Sequence, residues 1–337
     1  MRMMRLLVFF SFTLLILHVD VFPVFAKAPT TPKILFTSAR DGNYEVYIMN
    51  PDGTEQVNLT QHRAQDLSAV WSPTGEKILF ISDREGRRDL YLMNPDGSNV
   101  RRVFRFKTKE IRRKPTWAPD GKQIAYEQVN FKTGIFRIYI ATLGEQDKGQ
   151  LVQGSNPAWS PDGTEVACNV RSRLTLVNVR TQEQRLLLPK NAMFWQSHPS
   201  WSATGDKLAF AWNNNPLPPD HKLGIEPVPE AWLNKQTVYT VNRDGTGLQQ
   251  LVDEAGPMVQ HPELSPNGDE VLYTKVVKQQ HQIFKLDVNS GVQTQLTHIG
   301  MPRFGNFGGD WFDPSYALSV SPQPELLTTL WGKVKRE

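Results

Sequence analysis

Cysteine is almost absent from this chain. Cys168 is the only one among 337 residues, which excludes an intrachain disulfide. The fold must therefore be stabilised by packing rather than by covalent cross-links. Cys168 follows Val166 and Ala167 in an apolar strand pattern, and we expect it to be a small buried side chain rather than a nucleophile.

Long apolar segments are lacking too, apart from one run near the amino terminus. Residues 6–17 form that run, Arg2 and Arg5 precede it, and Ala26 ends a segment suited to signal peptidase. These 12 residues are too few to span a bilayer. We therefore predict a signal peptide over residues 1–26, cleaved after Ala26, and a periplasmic or secreted mature protein without a transmembrane segment. An uncleaved anchor is the alternative.

The sequence also lacks the local motifs of common enzyme classes. It contains no GxSxG nucleophile elbow, no HExxH metal motif and no glycine-rich phosphate loop. The histidines His198, His221 and His261 do not have the spacing of metal ligands. The formal charge of +4 is too small to indicate nucleic-acid binding. We expect a protein that is not an enzyme and that binds no cofactor, metal or nucleic acid.

What the chain does contain is a repeated pentapeptide built on tryptophan, proline and glycine. It occurs as WSPTG at 71–75, WAPDG at 117–121, WSPDG at 159–163 and WSATG at 201–205, with weaker copies LSPNG at 264–268 and WFDPS at 311–315. The copies start 46, 42, 42, 63 and 47 residues apart. This period predicts one supersecondary unit that is repeated along the chain.

Each unit is predicted to contain four short strands. In the unit that begins near Trp71, they cover residues 69–72, 77–82, 89–94 and 100–104. The SPTG and NPDG segments place proline and glycine where tight turns need them. The units at 143–150 and 179–184 depart from NPDG, so we expect looser turns there. The motif tryptophans are expected to pack between units, and a ligand platform is the alternative.

The two ends of the array complement each other. Residues 33–38, 45–50 and 56–60 match the second, third and fourth strands of a unit, while residues 309–312 match a first strand. Pairing these segments would close a ring and remove unpaired sheet edges. We predict an all-β fold, a six-bladed β-propeller of four-stranded antiparallel blades over residues 27–320, followed by a tail at 321–337.

The pattern of WSPDG, an apolar strand, NPDG and a final Leu-Thr, as at Leu59-Thr60 and Leu296-Thr297, resembles the repeats of TolB-type β-propellers. The resemblance covers residues 33 to about 320. TolB is a periplasmic component of an envelope complex, so the resemblance implies a protein partner. TolB's additional N-terminal α/β domain is not expected, because only residues 27–32 separate the predicted signal peptide from the first strand.

Candidate binding residues lie in connections that differ between units. The insertion at 213–235 carries His221, Glu226, Glu230 and Trp232, and Trp195, His198 and Trp212 belong to the same unit. The tryptophans could stack on a sugar, or they could form a local cluster that holds the insertion. Both interpretations stay open from the sequence.

A second candidate is the basic connection at 101–114. It includes Arg105, Lys107, Arg112 and Arg113, and its only acid is Glu110. Such a segment suits an acidic protein surface, an anionic glycan or lipid headgroups, although a solvated charged surface is the simpler explanation. We expect an exported, monomeric, non-catalytic scaffold that binds a protein partner through its long connections. The alternative is a propeller that binds or processes carbohydrate.

Overall fold

The computed structural model describes residues 27–106, 108–145, 147–193, 195–219, 221, 226–254, 256–300 and 305–318. Within these residues, 24 strands and one short helix follow one another. The first three strands are β1 (Lys33–Ser38), β2 (Glu45–Met49) and β3 (Val57–Asn58). Blade 1 contains β4 (Asp66–Trp71), β5 (Ile78–Ser82), β6 (Asp89–Met93) and β7 (Arg101–Arg102). Blade 2 contains β8 (Ile111–Trp117), β9 (Gln123–Asn130), β10 (Ile135–Thr142) and β11 (Asp147–Val152).

The remaining blades repeat this arrangement. Blade 3 contains β12 (Ser155–Trp159), β13 (Glu165–Val170), β14 (Arg173–Asn178) and β15 (Gln184–Leu186). Blade 4 contains β16 (Gln196–Trp201), β17 (Lys207–Trp212), β18 (Thr237–Asn242) and β19 (Gln249–Gln250), with α1 (Glu230–Leu233) between β17 and β18. Blade 5 contains β20 (Val259–Leu264), β21 (Glu270–Val277), β22 (Gln280–Asp287) and β23 (Gln293–Gln295), and β24 (Asn306–Phe312) ends the fold.

The sixth sheet is shared between the two ends of the chain. Its strand order is β24-β1-β2-β3, and the β1–β24 ladder is antiparallel, with Ile34 opposite Trp311 and Lys33 opposite Phe312. We call this sheet the closing blade. The six first strands of the blades contact one another in ring order and surround a central channel. The prediction of a six-bladed propeller closed by its termini is confirmed.

The motif tryptophans pack between blades. Trp71 is buried against Leu35 and Phe312 of the closing blade, and its ring centroid lies 5.3 Å from that of Phe312. Trp201 packs on Leu174 and Leu176 of blade 3 in the same way. The expected role in packing between units is therefore confirmed. Cys168 is fully buried, as expected, and burial raises the pKa of its thiol to about 12.

Glycine is required in the first turn of blade 1. Gly75 has a left-handed backbone with φ of +71°, and a Cβ atom there would lie 2.2 Å from the ring of Phe312. The turn is closed by a hydrogen bond from the Gly75 amide to the Ser72 carbonyl at 2.8 Å. The turn chemistry therefore also serves the contact between neighbouring blades.

The first strand of blade 1 differs from its predicted bounds. It covers Asp66–Trp71 rather than 69–72, because a β-bulge between Leu67 and Val70 lets pairing continue towards the amino end. The outer strand is shorter than predicted and contains only Arg101–Arg102. The predicted looseness of the 143–150 segment agrees with two register shifts between β10 and β11. Within the described residues, no helix is both long and apolar enough to cross a membrane.

Because Phe312 lies at the contact that closes the ring, we predict that Phe312→Ala strongly lowers the free energy of unfolding. Phe312 is only 4% exposed and fills the space between Trp71 and Gly75, so its truncation should lower the unfolding free energy by about 3–5 kcal/mol. The measurement is denaturant unfolding followed by tryptophan fluorescence. The matched control is Phe131→Ala, because Phe131 is 68% exposed and should cost less than about 0.5 kcal/mol. Equal effects of the two substitutions would contradict the proposed packing.

Candidate functional site

Each inner strand of the propeller contains one residue in the left-handed conformation. These residues occupy the same position, three before the motif tryptophan or its equivalent, with φ between +50° and +70°; they are Ser68, Lys114, Asn156, His198, His261 and Gly308. The strand register shifts at every one of these positions. A bulge of this kind changes the direction of a side chain within a strand.

The six bulges line one cavity. It has a volume of about 130 Å³ and lies in the channel near the amino ends of the inner strands. At about 30 Å³ per water molecule, such a space holds roughly four waters or one small polar group. Apolar side chains complete its wall, chiefly Phe36, Val70, Phe307 and the prolines that follow four of the bulges, Pro115, Pro157, Pro199 and Pro262.

Lys114, His198 and His261 form the chemically active part of this wall. The Nζ atom of Lys114 lies 3.4 Å from Nε2 of His198, within hydrogen-bond distance. The rings of His198 and His261 meet edge to face with centroids 4.5 Å apart. The Nδ1 atoms of both histidines are buried and have no hydrogen-bond partner in the described structure. The cavity thus contains one cation and two imidazoles with unused hydrogen-bonding capacity.

Burial sets the charge of these groups. It lowers the pKa of Lys114 to about 8, although Glu127 partly opposes the shift. Burial, together with the Lys114 charge, keeps the pKa of both His198 and His261 well below the usual value. At neutral pH the lysine is mostly charged and the imidazoles are neutral.

A layer of acidic side chains follows further along the channel. Glu263 and Asp310 occupy equivalent positions in neighbouring blades, immediately before the motif residues Leu264 and Trp311. Burial raises the pKa of Asp310 to about 7, and burial plus the nearby Asp310 raises the pKa of Glu263 well above its usual value. Asp310 accepts a hydrogen bond from the backbone amide of Trp71 at 2.6 Å, across the closing contact. Glu263 also lines the cavity that contains Lys114, so basic and acidic groups adjoin each other in the channel.

The tryptophans of the insertion and of the strand before it lie inside the fold. Trp212 and Trp232 are buried, and their indole groups donate to the carbonyls of Met193 and Pro216 at 3.1 and 2.8 Å. Trp195 meets Trp232 edge to face at 5.1 Å. Two buried indoles cannot stack on a sugar without opening the core, so the geometry favours the local cluster that holds the insertion over the sugar platform.

The polar candidates of the insertion are only partly brought together. Nδ1 of His221 lies 3.8 Å from Oε2 of Glu226. Glu230 is exposed in the first turn of α1. His198, in contrast, lies in the channel cavity, whose lining includes no residue of the insertion.

The basic connection divides into structural and exposed cations. Arg112 is buried, pairs with Asp89 at 3.1 Å and lies 3.9 Å from the centre of the Phe104 ring. Arg113 pairs with Glu127 and directly precedes the cavity residue Lys114. Arg105 is exposed and stacks on the exposed ring of Phe106. The predicted site residue Lys107 lies outside the described residues.

Comparison with known proteins now identifies the fold family. The family model described as the TolB beta propeller domain matches residues 19–204. The chain belongs to the TolB β-propeller family. This confirms the resemblance drawn from the WSPDG and NPDG turns.

Individual relatives of this TolB-type propeller are distant. An uncharacterized protein of Agrobacterium fabrum is 32% identical over 156 residues, which are 39% of this chain and 52% of the relative. The matched region thus spans about half of that relative's length. The crystal structure of TolB from Acinetobacter baumannii has a TM-score of 0.65 at 18% identity and covers 83% of this chain and 66% of its own. A chain of the crystallised nidogen/laminin complex has a TM-score of 0.61 at 11% identity and covers 86% of this chain and 99% of its own.

The channel of this TolB-type propeller contains residues that the sequence patterns did not single out. Lys114 was indistinguishable from the other cations of the basic connection, and Glu263 and Asp310 carried no motif. A signal was nevertheless present, because Lys114, Asn156, His198 and His261 each precede a proline two residues before the motif position. The described residues contain no cluster of three or more His, Cys, Asp or Glu side chains that could hold a metal ion.

The acidic layer of the TolB-type channel predicts a change in pH dependence for Asp310→Asn. A carboxyl whose pKa is raised to about 7 on folding binds more protons in the folded state, so its contribution to stability falls as the pH rises from about 4 to 7. The amide can still accept from Trp71 but does not titrate. From pH 5 to pH 7 the wild type loses this contribution, and the variant does not. The change in unfolding free energy over this range should therefore be more positive in the variant than in the wild type, by about 1–2 kcal/mol.

Denaturant unfolding at the two pH values measures this difference. The histidines of the channel contribute a trend of the opposite sign, but they do so in both proteins and cancel in the comparison. Asp253→Asn, which changes an exposed aspartate, is the matched control and should follow the wild type. An Asp310→Asn protein with the wild-type pH profile would show that this carboxyl is not perturbed.

Proposed function

We propose that the protein is an exported, non-catalytic scaffold that binds an acidic protein partner through the face bearing the long connections. This long-connection face contains the β5–β6, β7–β8, β9–β10 and β17–β18 connections, and the short-turn face contains the SPDG and NPDG turns. The observation that carries the proposal is a set of exposed aromatic and basic side chains in two connections of the long-connection face. We call this set the basic aromatic surface, and it contains Arg105, Phe106, Lys109, Phe131 and Lys132.

The aromatic residues of this surface are unusually exposed. Phe106 is 58% exposed and Phe131 is 68% exposed. Phe106 lies in the connection from β7 to β8, and Phe131 lies in the connection from β9 to β10, so both are on the same face. Aromatic residues and arginine are among the residue types that contribute most to protein interfaces.

A groove of about 300 Å³ lies beside the β7–β8 connection. Its lining includes four cations and three acids, namely Arg87, Arg88, Arg102 and Lys109, and Glu85, Asp89 and Glu110. Arg102 is paired with Glu85 at 3.1 Å, and the Arg87 guanidinium donates to the Lys109 carbonyl at 2.5 Å. The groove and the surface therefore keep a positive balance, which would steer and orient an acidic partner.

The scaffold suits recognition because it is closed and rigid. The connections rise from six sheets that pack on one another around a ring, so little conformational entropy is lost when a partner binds. Membership of the TolB propeller family supports a role in protein interaction. The similar chain in the nidogen/laminin complex shows that a propeller of this shape is compatible with a protein assembly.

Photo-crosslinking at Phe131 tests the proposed face. A benzophenone amino acid replacing Phe131 should cross-link one reproducible protein in cells, because this position lies within the basic aromatic surface. Mass spectrometry then identifies the partner. The matched control is the same amino acid at Val292, which is 61% exposed in the turn between β22 and β23 on the short-turn face.

Charge and ring variants then measure the interface with the purified partner. Arg105→Glu and Phe131→Ala should each weaken binding about tenfold or more, since each removes an anchor of the surface. Point variants are preferable to deletion of the insertion, because deletion would also remove buried Trp232. A product formed equally from Val292, or affinities unchanged in both variants, would exclude this face.

Export is tested by the sequence of the mature amino terminus. Cleavage after Ala26 should give a protein that begins at Lys27 in the periplasmic or secreted fraction, because the basic and apolar segments before it suit the export machinery. Edman sequencing or intact mass measures this. A chain that retains residues 1–26 and sediments with membranes would instead support the uncleaved anchor.

A further inference from the structure

We propose that the channel cavity is a binding site for a single carboxylate group, with Lys114 as its ion-pair partner and His198 and His261 as its hydrogen-bond donors. The carboxylate belongs to an acidic side chain of the partner segment, or to a free short-chain acid of the same chemistry. Only the first source depends on the proposed function. Binding of a free acid tests the site by itself.

The cavity contains one cation whose charge is not matched by an acid in ion-pair contact. In the part of the chain that the structure describes, Lys114 has no salt bridge, and its hydrogen-bond partner is the neutral ring of His198. The nearby Glu127 is committed to Arg113 and to the amide of Asn156, which donates to it at 3.2 Å. Lys114 therefore has two donor positions left for a ligand.

The histidines supply polar atoms that the protein leaves unused. The Nδ1 atoms of His198 and His261 are buried without a partner among the described residues, while both rings line the cavity. A buried polar atom without a partner loses free energy that a hydrogen bond would recover. A neutral imidazole donates from one nitrogen, so on binding each ring would turn one N–H toward an oxygen atom held by Lys114.

Charge and size favour a carboxylate over a phosphate. One lysine balances one negative charge, whereas a phosphate group carries about 1.5 to 2 charges at neutral pH. Glu263 also lines the cavity, so a second negative charge on the ligand would find an acid there and no second cation. The four wall prolines and the cavity volume of about 130 Å³ fit a carboxylate with a short apolar stem.

Propionate titration followed by histidine-selective NMR is the direct test. Propionate should shift the imidazole resonances of His198 and His261 saturably in the full-length mature protein, whereas propionamide and inorganic phosphate should bind about tenfold more weakly or not at all. Lys114→Met should weaken propionate binding about tenfold or more, because a hydrogen-bonded charge contact is lost. The matched control is Lys122→Met, which removes an exposed lysine in the turn that follows the same strand, β8.

The pH profile adds a second readout. With the Lys114 pKa near 8 in the free protein, propionate affinity should fall as the pH rises above about 8 and the ammonium loses its proton. The other titratable or charged groups around the cavity are Arg113, Glu127, His198, His261, Glu263, His281 and Asp310. Lys114→Met should remove the fall in affinity above pH 8.

Two controls keep the result interpretable. Thermal unfolding must show that Lys114→Met is folded, and His261→Gln, which retains an amide donor, provides an independent variant with an intermediate loss of affinity. No saturable propionate shift, equal affinity in Lys114→Met and wild type, or tighter binding of phosphate would overturn the carboxylate site.

A binding experiment with peptides distinguishes the two possible sources of the carboxylate. An acetylated and amidated peptide with one central glutamate is compared with its glutamine counterpart and with propionate. Tighter binding of the glutamate peptide assigns the site to a protein segment, and preference for propionate assigns it to a free acid. If propionate binds but the partner cross-links elsewhere, the site stands while the proposed interface fails.

Discussion

The pairing of β24 with β1 is the contact on which the remaining structure depends. It places Trp311 opposite Ile34 and brings Phe312 onto Trp71, so the first and last units share one sheet. In addition, Asp310 accepts a hydrogen bond from the backbone amide of Trp71 in the next blade. In an open array, two sheet edges would be unpaired and one apolar contact between neighbouring blades would be lost. Closure turns equivalent positions of six strands into continuous layers around the channel.

A second constraint acts inside every inner strand. The left-handed residue and the bulge that contains it interrupt the alternation of side chains, so neighbouring residues of one strand reach the channel instead of opposite faces. Its backbone amide is satisfied by the adjacent blade in several cases. Ser68 donates to Thr37, Asn156 to Glu127 and Gly308 to Thr274, at 3.1 to 3.2 Å. The bulges therefore both connect the blades and determine which side chains line the cavity.

The sequence predicted the parts of the fold that repeat. Turn residues, motif tryptophans and complementary ends are local or periodic signals, and the six-bladed ring follows from them. The site is less predictable because it depends on differences at one repeated position. Lys114 resembles any solvated lysine until closure places it beside His198, although the two are 84 positions apart. Trp212 and Trp232 suited both a ligand platform and a core, and only burial distinguished these alternatives.

The layered charges along the channel also explain why a neutral imidazole pair can be retained there. His198 and His261 line the same cavity as Lys114 and Glu263, and Lys114 is within hydrogen-bond distance of His198. Protonating either ring would add a second buried positive charge next to Lys114, which burial and repulsion both oppose. Neutral rings can instead donate one hydrogen each without changing the net charge. A single cation with neutral donors discriminates by charge number as well as by shape, because an ion of higher charge would meet the acidic layer without a second cation to balance it.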